Sequence, residues 1–359
     1  MGAARLAGMD GHSPSRLRAA LDSGRCYVVA EAGSNHCGEL DTALRLVDVA
    51  AEAGADAVKF QLFTADRMYP PGAGVADYLG DPTSIDEIIR TLELAPEWLP
   101  ELAGRAAERG LDFLATPFDE EAVDVLEPYV PAYKIASYEL THAPLLRYVA
   151  AKGKPVVLST GAATLEEARE AVATLREAGA PEVVVLQCTA RYPAPLETLG
   201  IGAIPQLRAE LDAPVGLSDH SREPLIGPIA AVALGACMLE KHFTLSNDLP
   251  GPDHRFALEP PELAAMVAAV RATEAARGSG RKEVYPEEEE LRSFARRTLF
   301  SVRPIDAGET LDKGSIAVLR AGKLGHGLEP AALGSVLGRR AVRAIAPHVP
   351  IRREDVEWS

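Results

Sequence analysis

An alternation of apolar and helical segments runs through most of this sequence and limits the folds that it can adopt. Eight short apolar runs each end in polar or turn-forming residues and are followed by a segment with helical spacing. The runs lie at residues 26–33, 56–63, 111–118, 132–140, 155–161, 182–193, 214–220 and 236–244. Strands that alternate with helices in this way pair as a parallel sheet.

The number of runs favours a closed barrel over an open sheet. Eight strands alternating with helices over about 250 residues is the pattern of a (β/α)8 TIM barrel. A doubly wound open sheet is the alternative, because alternation alone does not establish closure. Every run ends in polar residues, and only in a barrel do all of these ends meet at one mouth. We therefore predict an α/β chain built on a TIM barrel.

Changes in composition divide the chain into four parts. Residues 1–24 are a polar N-terminal extension with one short amphipathic piece, predicted to cap the bottom of the barrel, and residues 25–278 form the barrel itself. Residues 279–297 are charged and lack a core pattern, so we interpret them as a linker. Residues 298–359 contain short β-rich runs broken by Gly and Pro, which indicates a small β-rich domain.

Turn and helix-start signals mark two further features inside the barrel region. A Pro- and Gly-rich excursion at residues 64–84 follows the second strand, and a loop of this length in a compact domain is usually functional or mobile. Ser84 with Glu87 and Thr164 with Glu167 have the spacing of capping boxes.

Charge and composition exclude several classes of function. The net charge is −15 over 359 residues, which argues against a general affinity for nucleic acid or for an anionic membrane. The N-terminus has no apolar signal segment, and no apolar run is long enough to span a bilayer, so we expect a cytoplasmic protein. The four cysteines lack CxxC spacing and are expected to be free thiols.

The strand ends carry the candidate chemistry. They hold two lysines, several hydroxyls, two histidines and two acids: Glu31, Lys59, Gln61, Thr116, Lys134, Ser137, Ser159, Thr160, Thr189, Tyr192, Ser218, His220, Glu240 and His242. Lysines beside hydroxyl donors suit a small molecule that carries a phosphate and a carboxylate. Two histidines on adjacent strand ends suit a divalent metal, and the two acids are available for orientation or proton transfer. A metal-using enzyme that handles a phosphate is favoured over a binding protein of the same fold.

Short motifs along the chain resemble those of the sialic acid synthase family. AEAGSNHCG resembles the family's AEIGxNHNG opening, and its later barrel motifs are matched in order by KFQ, ATPFD, YKIAS, LSTG, QCTARYP, GLSDHS, EKHFT and GPDHRF. The tail RRTLFSVRPIDAGETLDKGSIAVLRAGKLGHGLEP resembles the antifreeze-like (SAF) domain that ends these enzymes. The resemblance covers about residues 26 to 355.

The resemblance implies a reaction and roles for residues. Family members condense phosphoenolpyruvate with an N-acylmannosamine-type aldose to a nine-carbon 2-keto-3-deoxy (nonulosonic) acid and phosphate. His220 and His242 match the ligands of a divalent metal, Mn²⁺ or Mg²⁺, that polarises the aldehyde of the sugar. The positions that match phosphoenolpyruvate-binding residues are Lys59, Thr116, Lys134, Ser137, Ser159 and Ser218. Glu31, Lys59, Lys134 and Glu240 are the expected catalytic residues.

The resemblance also implies how the sugar is held. Gln61, Tyr192 and Asp253 match positions near the sugar. Arg320 matches a SAF-domain arginine that reaches the partner's sugar site in a domain-swapped homodimer. The expected partners are therefore phosphoenolpyruvate, an amino-sugar aldose and a second copy of the chain.

Departures from the family pattern leave the acceptor open. Cys37 replaces an asparagine of the NHNG motif, and Ala190, beside Arg191, replaces a phosphate-contacting asparagine. We predict that Arg191 or another donor compensates. The sugar-contacting part of the excursion reads GDPTS. The alternatives are a synthase for legionaminic- or pseudaminic-type acids or for another 2-keto-3-deoxy sugar acid from a different aldose, a barrel acting on a shorter phosphorylated aldose, and an inactive saccharide-binding barrel.

Overall fold

The structure is a computed structural model that describes residues 16–76 and 82–358. The chain divides into two compact units, Met1–Gly278 and Ser279–Ser359. Most of the predicted N-terminal extension, residues 1–15, lies outside the described residues, as do residues 77–81 of the excursion.

Eight parallel strands form the wall of the N-terminal unit. They are β1 (Tyr27–Gly33), β2 (Ala57–Leu62), β3 (Asp112–Pro117), β4 (Tyr133–Ile135), β5 (Val156–Ser159), β6 (Val183–Cys188), β7 (Val215–Asp219) and β8 (Met238–His242). Hydrogen bonds connect neighbours in the order β3, β2, β1, β8, β7, β6, β5, β4, and β3 and β4 at the two ends of this order pack against each other. The wall therefore closes, and the predicted (β/α)8 barrel is confirmed.

Helices surround the strands. They are α1 (Arg16–Ser23), α2 (Leu40–Glu52), α3 (Ala65–Met68), α4 (Ile85–Arg90), α5 (Leu99–Glu108), α6 (Glu120–Leu126), α7 (Ala143–Ala150), α8 (Leu165–Glu177), α9 (Ala203–Leu211), α10 (Ile226–Ala233) and α11 (Pro260–Arg277). Single 3₁₀ turns occur at Pro96–Trp98, Ser137–Glu139, Leu196–Thr198 and His254–Phe256. In α2 the buried residues recur at helical spacing, as Ala43, Leu46, Val47 and Ala50 do, because this face packs on the strands. No helix among the described residues is long and apolar enough to cross a membrane.

Inward-facing side chains change from apolar to polar along each strand. On β8 the series is Met238, Glu240 and His242, and on β5 it is Val157 and Ser159, because alternate residues of a strand face the same side. The apolar members form a closed cluster at the lower end of the barrel: Leu17, Ala20, Tyr27, Val29, Ala57, Leu114, Ala132, Val157, Val184, Leu186 and Met238. The first two belong to α1, so the described part of the extension caps the barrel as predicted.

A glycine allows two strands to pack inside this cluster. A Cβ atom on Gly216 of β7 would lie 2.3 Å from the backbone oxygen of Met238 on β8. Only glycine therefore fits at this position.

One predicted capping box is confirmed and the other is wrong. The Thr164 hydroxyl accepts a hydrogen bond from Glu167 N at 3.2 Å, and the Glu167 carboxylate accepts one from Thr164 N at 2.7 Å. Ser84 precedes α4, but its side chain makes no cap. The Ser84 hydroxyl instead contacts Asp86 and donates to Gly74 O at 3.3 Å, because the excursion folds back against the start of α4.

The strand predicted at residues 132–140 is shorter than expected. β4 ends at Ile135, and a 3₁₀ turn at Ser137–Glu139 follows. The turn is held across the mouth of the barrel, where the Ser137 hydroxyl accepts a hydrogen bond from Gly161 N at 2.9 Å. A polar contact at the end of the strand therefore overrides the extended pattern of the sequence.

The C-terminal unit is small and rich in β structure. It contains α12 (Glu289–Ala295), the antiparallel strands β9 (Arg297–Ser301) and β10 (Ile316–Arg320), and α13 (Leu333–Val336). Its apolar core consists of Leu299, Ile305, Leu311, Ile316, Val336, Ala341, Ile345, Ile351 and Val356. The predicted linker, residues 279–297, holds α12, which buries none of its residues.

Candidate active site

An open cavity of about 1120 Å³ lies at the C-terminal ends of the barrel strands. Residues on or directly after each strand line it, together with the loop that follows β8. The lining includes every barrel residue singled out as a site residue from the resemblance: Glu31, Lys59, Gln61, Thr116, Lys134, Ser137, Ser159, Tyr192, Ser218, His220, Glu240, His242 and Asp253. The expected convergence of the strand ends is therefore observed.

Two lysines and two glutamates form a buried charged cluster at the floor of this cavity. Lys59 Nζ lies 2.7 Å from Glu31 Oε2 and 3.8 Å from Glu240 Oε2, and Lys134 Nζ lies 3.5 Å from Glu240 Oε1. None of the four side chains is more than 5% exposed. Alternate residues of β1, β2, β4 and β8 bring these groups to one level inside the barrel.

Burial favours the neutral form of both lysines, but the net pKa shifts of the two have opposite directions. Burial alone would lower the pKa of Lys59, but the nearby Glu240 and Glu31 outweigh it, so the pKa is raised. Burial outweighs the attraction of Glu240 at Lys134 and lowers the pKa of that lysine. An additional anion in the cavity would therefore stabilise the charged form of Lys134 more than that of Lys59.

The two glutamates also differ. Burial raises the pKa of Glu31, even though Lys59 opposes the shift. Burial acts in the same direction on Glu240, but Lys134 and Lys59 outweigh it and lower the pKa of that carboxyl group. Glu240 is the anionic partner of the lysines, whereas Glu31 is the stronger base of the two carboxylates.

Hydroxyl groups surround the charged cluster. Thr116 Oγ1 accepts a hydrogen bond from Lys59 Nζ at 3.2 Å, and Ser218 Oγ donates to Glu240 Oε1 at 2.9 Å. The Ser159 hydroxyl is buried and has no hydrogen-bond partner among the described residues. Because a buried polar group without a partner is costly, this hydroxyl is suited to a ligand that enters the cavity.

The two histidines lie side by side above the charged cluster, with ring centroids 5.2 Å apart. Nδ1 of His220 lies 3.1 Å from Thr189 O and 3.5 Å from Cys188 Sγ, which fixes the orientation of the ring. Nδ1 of His242 is buried, lies 3.5 Å from Asp253 Oδ2 and makes no hydrogen bond to the described residues. Burial and the nearby cations hold the pKa of His242 well below its usual range, so its imidazole is neutral.

The histidine pair fits a divalent metal ion. Neutral imidazole nitrogens are metal ligands, and the unpartnered Nδ1 of His242 is available as one. The described residues contain no cluster of three or more His, Cys, Asp or Glu side chains that could hold an ion. A metal bound to this pair would therefore take further ligands from substrate or water, which is the open coordination that a Lewis acid needs.

A buried ion pair behind the histidines was not identified from the sequence. Lys241 lies between Glu240 and His242 on β8, so its side chain faces away from the cavity. Its ammonium group donates to Asp219 Oδ2 at 2.8 Å and to Ser221 O at 2.6 Å. The alternation along β8 is a signal that could have predicted this outward position.

The residues expected to contact the sugar lie around the histidine pair. Gln61 Nε2 donates to Glu31 Oε1 at 2.8 Å, and the ring centroid of Tyr192 lies 4.5 Å from that of His220. Burial raises the pKa of Asp253 to about 6. This side of the cavity thus offers an amide, a phenol and a carboxyl group to hydroxyl groups of a ligand.

Two arginines to which the sequence analysis assigned a role are not among the residues that line this cavity. Arg191, expected to compensate for Ala190, is exposed and is not among its lining residues. Its predicted contact with phosphate is therefore not supported. Arg320 lies at the end of β10 in the C-terminal unit, and its predicted role in a partner's site stays a prediction.

An apolar surface on one side of the cavity was also missed by the sequence analysis. We call it the apolar wall, and it consists of Met68, Ile85, Ile88, Ile89, Leu92 and Phe118. The excursion was interpreted as a loop, whereas the structure places the short helix α3 in it; α4 begins directly after the excursion, at Ile85. Four wall residues follow the helical spacing i, i+3, i+4, i+7, which is the signal that could have found them.

Comparisons with known proteins give the family of the chain. The sequence profile of the NeuB family matches residues 46–282, and that of the SAF domain matches residues 296–357. The chain belongs to the NeuB family.

Relatives of this NeuB-family chain match along most of its length. It is 43% identical over 347 residues to the spore coat polysaccharide biosynthesis protein SpsE of Bacillus subtilis, covering 92% of this chain and 93% of the relative. It is 35% identical over 341 residues to the N,N'-diacetyllegionaminic acid synthase of Legionella pneumophila, covering 92% and 95%. A solved structure of N-acetylneuraminic acid (sialic acid) synthetase from Leptospira borgpetersenii aligns with a TM-score of 0.68 and 32% identity, covering 74% of this chain and 90% of that chain.

The family assignment confirms the resemblance to sialic acid synthases. It also confirms that the small C-terminal unit contains a SAF domain. The NeuB match lies mainly in the region predicted as the barrel and the SAF match mainly in the region predicted as the small β-rich domain, which are two of the four parts of the sequence analysis.

Proposed function

We propose that this NeuB-family protein condenses phosphoenolpyruvate with an unphosphorylated N-acylated aldose. The products are a nonulosonic acid, which is a 2-keto-3-deoxy sugar acid, and inorganic phosphate. Named relatives that make sialic and legionaminic acids support this reaction. The observation that carries the proposal is the pair of buried lysines beside the unpartnered Ser159 hydroxyl at the floor of the cavity.

The charged cluster suits phosphoenolpyruvate because this substrate brings two anionic groups. Lys59 already has Glu31 at 2.7 Å, whereas the carboxylate nearest to Lys134, on Glu240, is 3.5 Å away. An anion placed between the lysines would oppose the effect of burial on the pKa of Lys134 and keep that lysine charged. Ser159 and Ser137 then supply neutral donors at the same level of the barrel.

The chain's own residues account for the steps at the reacting carbons. C3 of phosphoenolpyruvate attacks the aldehyde carbon of the sugar, and positive charge develops at C2. The carboxylate of Glu31 stabilises this charge and accepts a proton from the water that adds to C2. Burial raises the pKa of Glu31, which makes it a better base than a solvated carboxylate. Phosphate then leaves from the tetrahedral carbon, and the lysines stabilise its negative charge.

His220 and His242 are the residues that would hold the metal, for which we propose Mn²⁺ or Mg²⁺. A bound divalent ion supplies Lewis-acid polarisation of the sugar's aldehyde. Thr189 O and Cys188 Sγ orient His220, and Tyr192 packs on its ring, so the chain fixes the direction from which the aldehyde approaches.

The lining of the cavity favours an acceptor without a phosphate. Among its described lining residues, the lysine and arginine side chains are those of the two floor lysines and Arg255. A sugar phosphate would need a second set of cations away from the floor. Arg255 alone is a weak match for that requirement, so a phosphorylated acceptor is disfavoured.

The domain-swapped homodimer and the cytoplasmic location are also parts of the proposal. The family resemblance supports the dimer, in which Arg320 of one subunit reaches the sugar site of the other. Relatives named as biosynthetic proteins and synthases support the location.

Phosphate release from phosphoenolpyruvate with Mn²⁺ and a panel of aldoses tests the proposed reaction. We expect turnover with unphosphorylated N-acylated aldoses, and a loss of at least about 100-fold in kcat/KM for Lys59→Met or Lys134→Met. Lys152→Met is the matched control, because Lys152 lies outside the cavity and pairs with Asp124 and Glu127.

Two results would contradict the proposal in different ways. Turnover restricted to phosphorylated aldoses would assign the protein to another phosphoenolpyruvate-condensing reaction. Binding of saccharides without phosphate release from phosphoenolpyruvate in the presence of any aldose would support the inactive saccharide-binding barrel.

A further inference from the structure

The loop that follows β8 presents two charged side chains to the cavity. Asp253 and Arg255 line the cavity, whereas His254 between them is 1% exposed and is not among the described lining residues. The side chain of His254 therefore lies on the side of the loop that faces away from the cavity. The proposed chemistry assigns no role to this buried histidine.

Contacts at both ring nitrogens hold His254 in place. Its Nδ1 lies 2.6 Å from Thr244 Oγ1, and its Nε2 lies 3.3 Å from Cys37 Sγ. Thr244 follows β8, and Cys37 lies in the turn after β1, which pairs with β8 in the barrel wall. The imidazole therefore connects the loop to the ends of two neighbouring strands.

The partners of Thr244 assign a direction to these hydrogen bonds. The Thr244 hydroxyl donates to Ser246 O at 3.1 Å, so its oxygen accepts the hydrogen bond from Nδ1 of His254. Nε2 then carries no proton and accepts from the Cys37 thiol. Burial raises the pKa of this thiol and lowers the pKa of the imidazole, so both groups are neutral. We call the three side chains, Cys37, His254 and Thr244, the loop anchor.

The backbone of the loop packs tightly around the imidazole. Gly251 has φ +138°, and a Cβ atom there would lie 2.9 Å from Cδ2 of His254. Asn247 Nδ2 donates to His254 O at 2.5 Å and to Ala257 O at 2.8 Å. A displacement of the ring would therefore also displace the loop residues on either side of it.

The conformation of Cys37 shows which other residue could serve in the loop anchor. Its φ is 54°, in the left-handed region that asparagine adopts more readily than most residues. The side-chain amide of asparagine could donate to Nε2 of His254 as the thiol does. The change from NHNG to NHCG at this position therefore keeps a donor for the histidine, whereas alanine would remove it.

We propose that Cys37, His254 and Thr244 are positioning residues that hold Asp253 and Arg255 against the acceptor sugar. This inference rests on the proposed condensation and adds residues outside the cavity to its acceptor site. None of the three lines the cavity among the described residues, so they act through the loop. A buried polar group without a partner is costly, so loss of either contact of the ring favours a displaced loop.

Two pairs of variants in the full chain test the loop anchor. Thr244→Val and Cys37→Ala each remove one contact of the ring, whereas Thr244→Ser and Cys37→Asn supply a replacement hydroxyl or amide. In the phosphate-release assay we expect Thr244→Val and Cys37→Ala to raise the KM for the aldose at least about 5-fold. The KM for phosphoenolpyruvate should not change, because that substrate binds at the floor. Thr244→Ser and Cys37→Asn should return the KM for the aldose to within about 2-fold of the wild-type value.

Trypsin reports the position of the loop without substrate. Arg255 is exposed and is followed by Phe256, so the bond between them becomes a tryptic site when the loop opens. We expect cleavage at this bond in the native protein to be at least about 5-fold faster in Thr244→Val and Cys37→Ala than in the wild type. Mass spectrometry of the fragments identifies the bond that is cleaved.

A matched control separates the loop anchor from the loss of any threonine hydroxyl. Thr273 lies on α11 outside the cavity, and its hydroxyl donates to Ala269 O at 2.8 Å. Thr273→Val should change neither the KM for the aldose nor the cleavage after Arg255.

The outcomes separate this inference from the proposed reaction. Wild-type phosphate release with an unchanged aldose KM and unchanged cleavage in Thr244→Val and Cys37→Ala would overturn the loop anchor and leave the condensation intact. Equal increases in the KM for the aldose and for phosphoenolpyruvate would also overturn it, because they would indicate general damage to the barrel. Absence of phosphate release by the wild type with every aldose would overturn the condensation, and this inference with it.

Discussion

The ammonium group of Lys241 lies 2.8 Å from Asp219 Oδ2 in a pair that is at most 2% exposed. Both residues are adjacent in sequence to a histidine of the candidate site, Asp219 to His220 and Lys241 to His242. The pair connects the ends of β7 and β8 on the side away from the cavity. The ion pair therefore fixes the spacing of the two imidazoles from the side of the strands that faces away from the cavity.

Replacing Lys241 tests this role. Lys241→Met leaves the Asp219 carboxylate buried without its partner, and we expect the barrel to lose about 3 kcal/mol of stability. We also expect weaker Mn²⁺ binding, because the ion pair between the ends of β7 and β8 is lost. Thermal unfolding and titration calorimetry measure the two effects.

The double variant Lys241→Met, Asp219→Leu is the control. It removes the unpaired charge, so stability should recover in part while Mn²⁺ affinity stays low. Full recovery of Mn²⁺ affinity would show that the pair does not position the histidines.

Metal removal tests the histidine pair directly. EDTA should abolish phosphate release, and added Mn²⁺ should restore it. The double variant His220→Ala, His242→Ala should no longer bind Mn²⁺ tightly when titrated without substrate. His142→Asn is the matched control, since exposed His142 only caps α7 by accepting from Leu145 N at 3.2 Å. Phosphate release that persists in EDTA would contradict a required metal.

Mixing two inactive variants tests the predicted domain swap. An Arg320→Ala subunit keeps its metal site, and a His220→Ala subunit keeps its arginine. A mixed dimer should then contain one complete site, and random pairing of equal amounts should give about a quarter of wild-type activity. If mixed dimers form, as shown by mass spectrometry, and activity does not return, Arg320 does not act across subunits.

His36 should make stability depend on pH. Burial lowers the pKa of His36 from its usual 6.5 to about 4, and its Nε2 has no hydrogen-bond partner among the described residues. Below pH 6.5 the unfolded chain takes up a proton that the folded chain does not accept until about pH 4. The free energy of unfolding therefore falls as the pH decreases through this window.

A glutamine at this position removes the titration. Gln can still accept the hydrogen bond that Gly38 N donates to His36 Nδ1 at 3.1 Å. Between pH 7 and about pH 4.5, the Tm of His36→Gln should fall less than that of the wild type. An equal loss of Tm in His36→Gln would show that His36 does not contribute.

The main features of the fold and of the candidate site could be predicted from local patterns. Strand ends of a barrel converge by geometry, so residues as distant in sequence as Lys59 and Glu240 could be placed together once eight strands were counted. The family motifs then indicated the roles of these residues, which the spacing of the strands alone does not determine. For these residues, sequence position determines spatial position because each is fixed by one strand.

The features that were missed depend on contacts between distant segments. The end of β4 depends on Gly161 N reaching Ser137, and the side chain of Ser84 is drawn to Asp86 and Gly74 instead of a cap. The spacing of Ser84 and Glu87 indicated the start of a helix, but the apolar face of α4 was missed because this helix is only six residues long. Propensity is a weak guide for so short an element.

Helix α1 closes the barrel at the end opposite the candidate active site. Leu17 and Ala20 fill the bottom of the tube, whereas charged and hydroxyl groups fill the top. A chain shortened to begin at Arg25 would let water reach Met238 and Tyr27 from below while every lysine and histidine of the mouth stayed in the sequence. The stability of the barrel can therefore be altered through its lower end, and catalysis can be altered separately through its mouth.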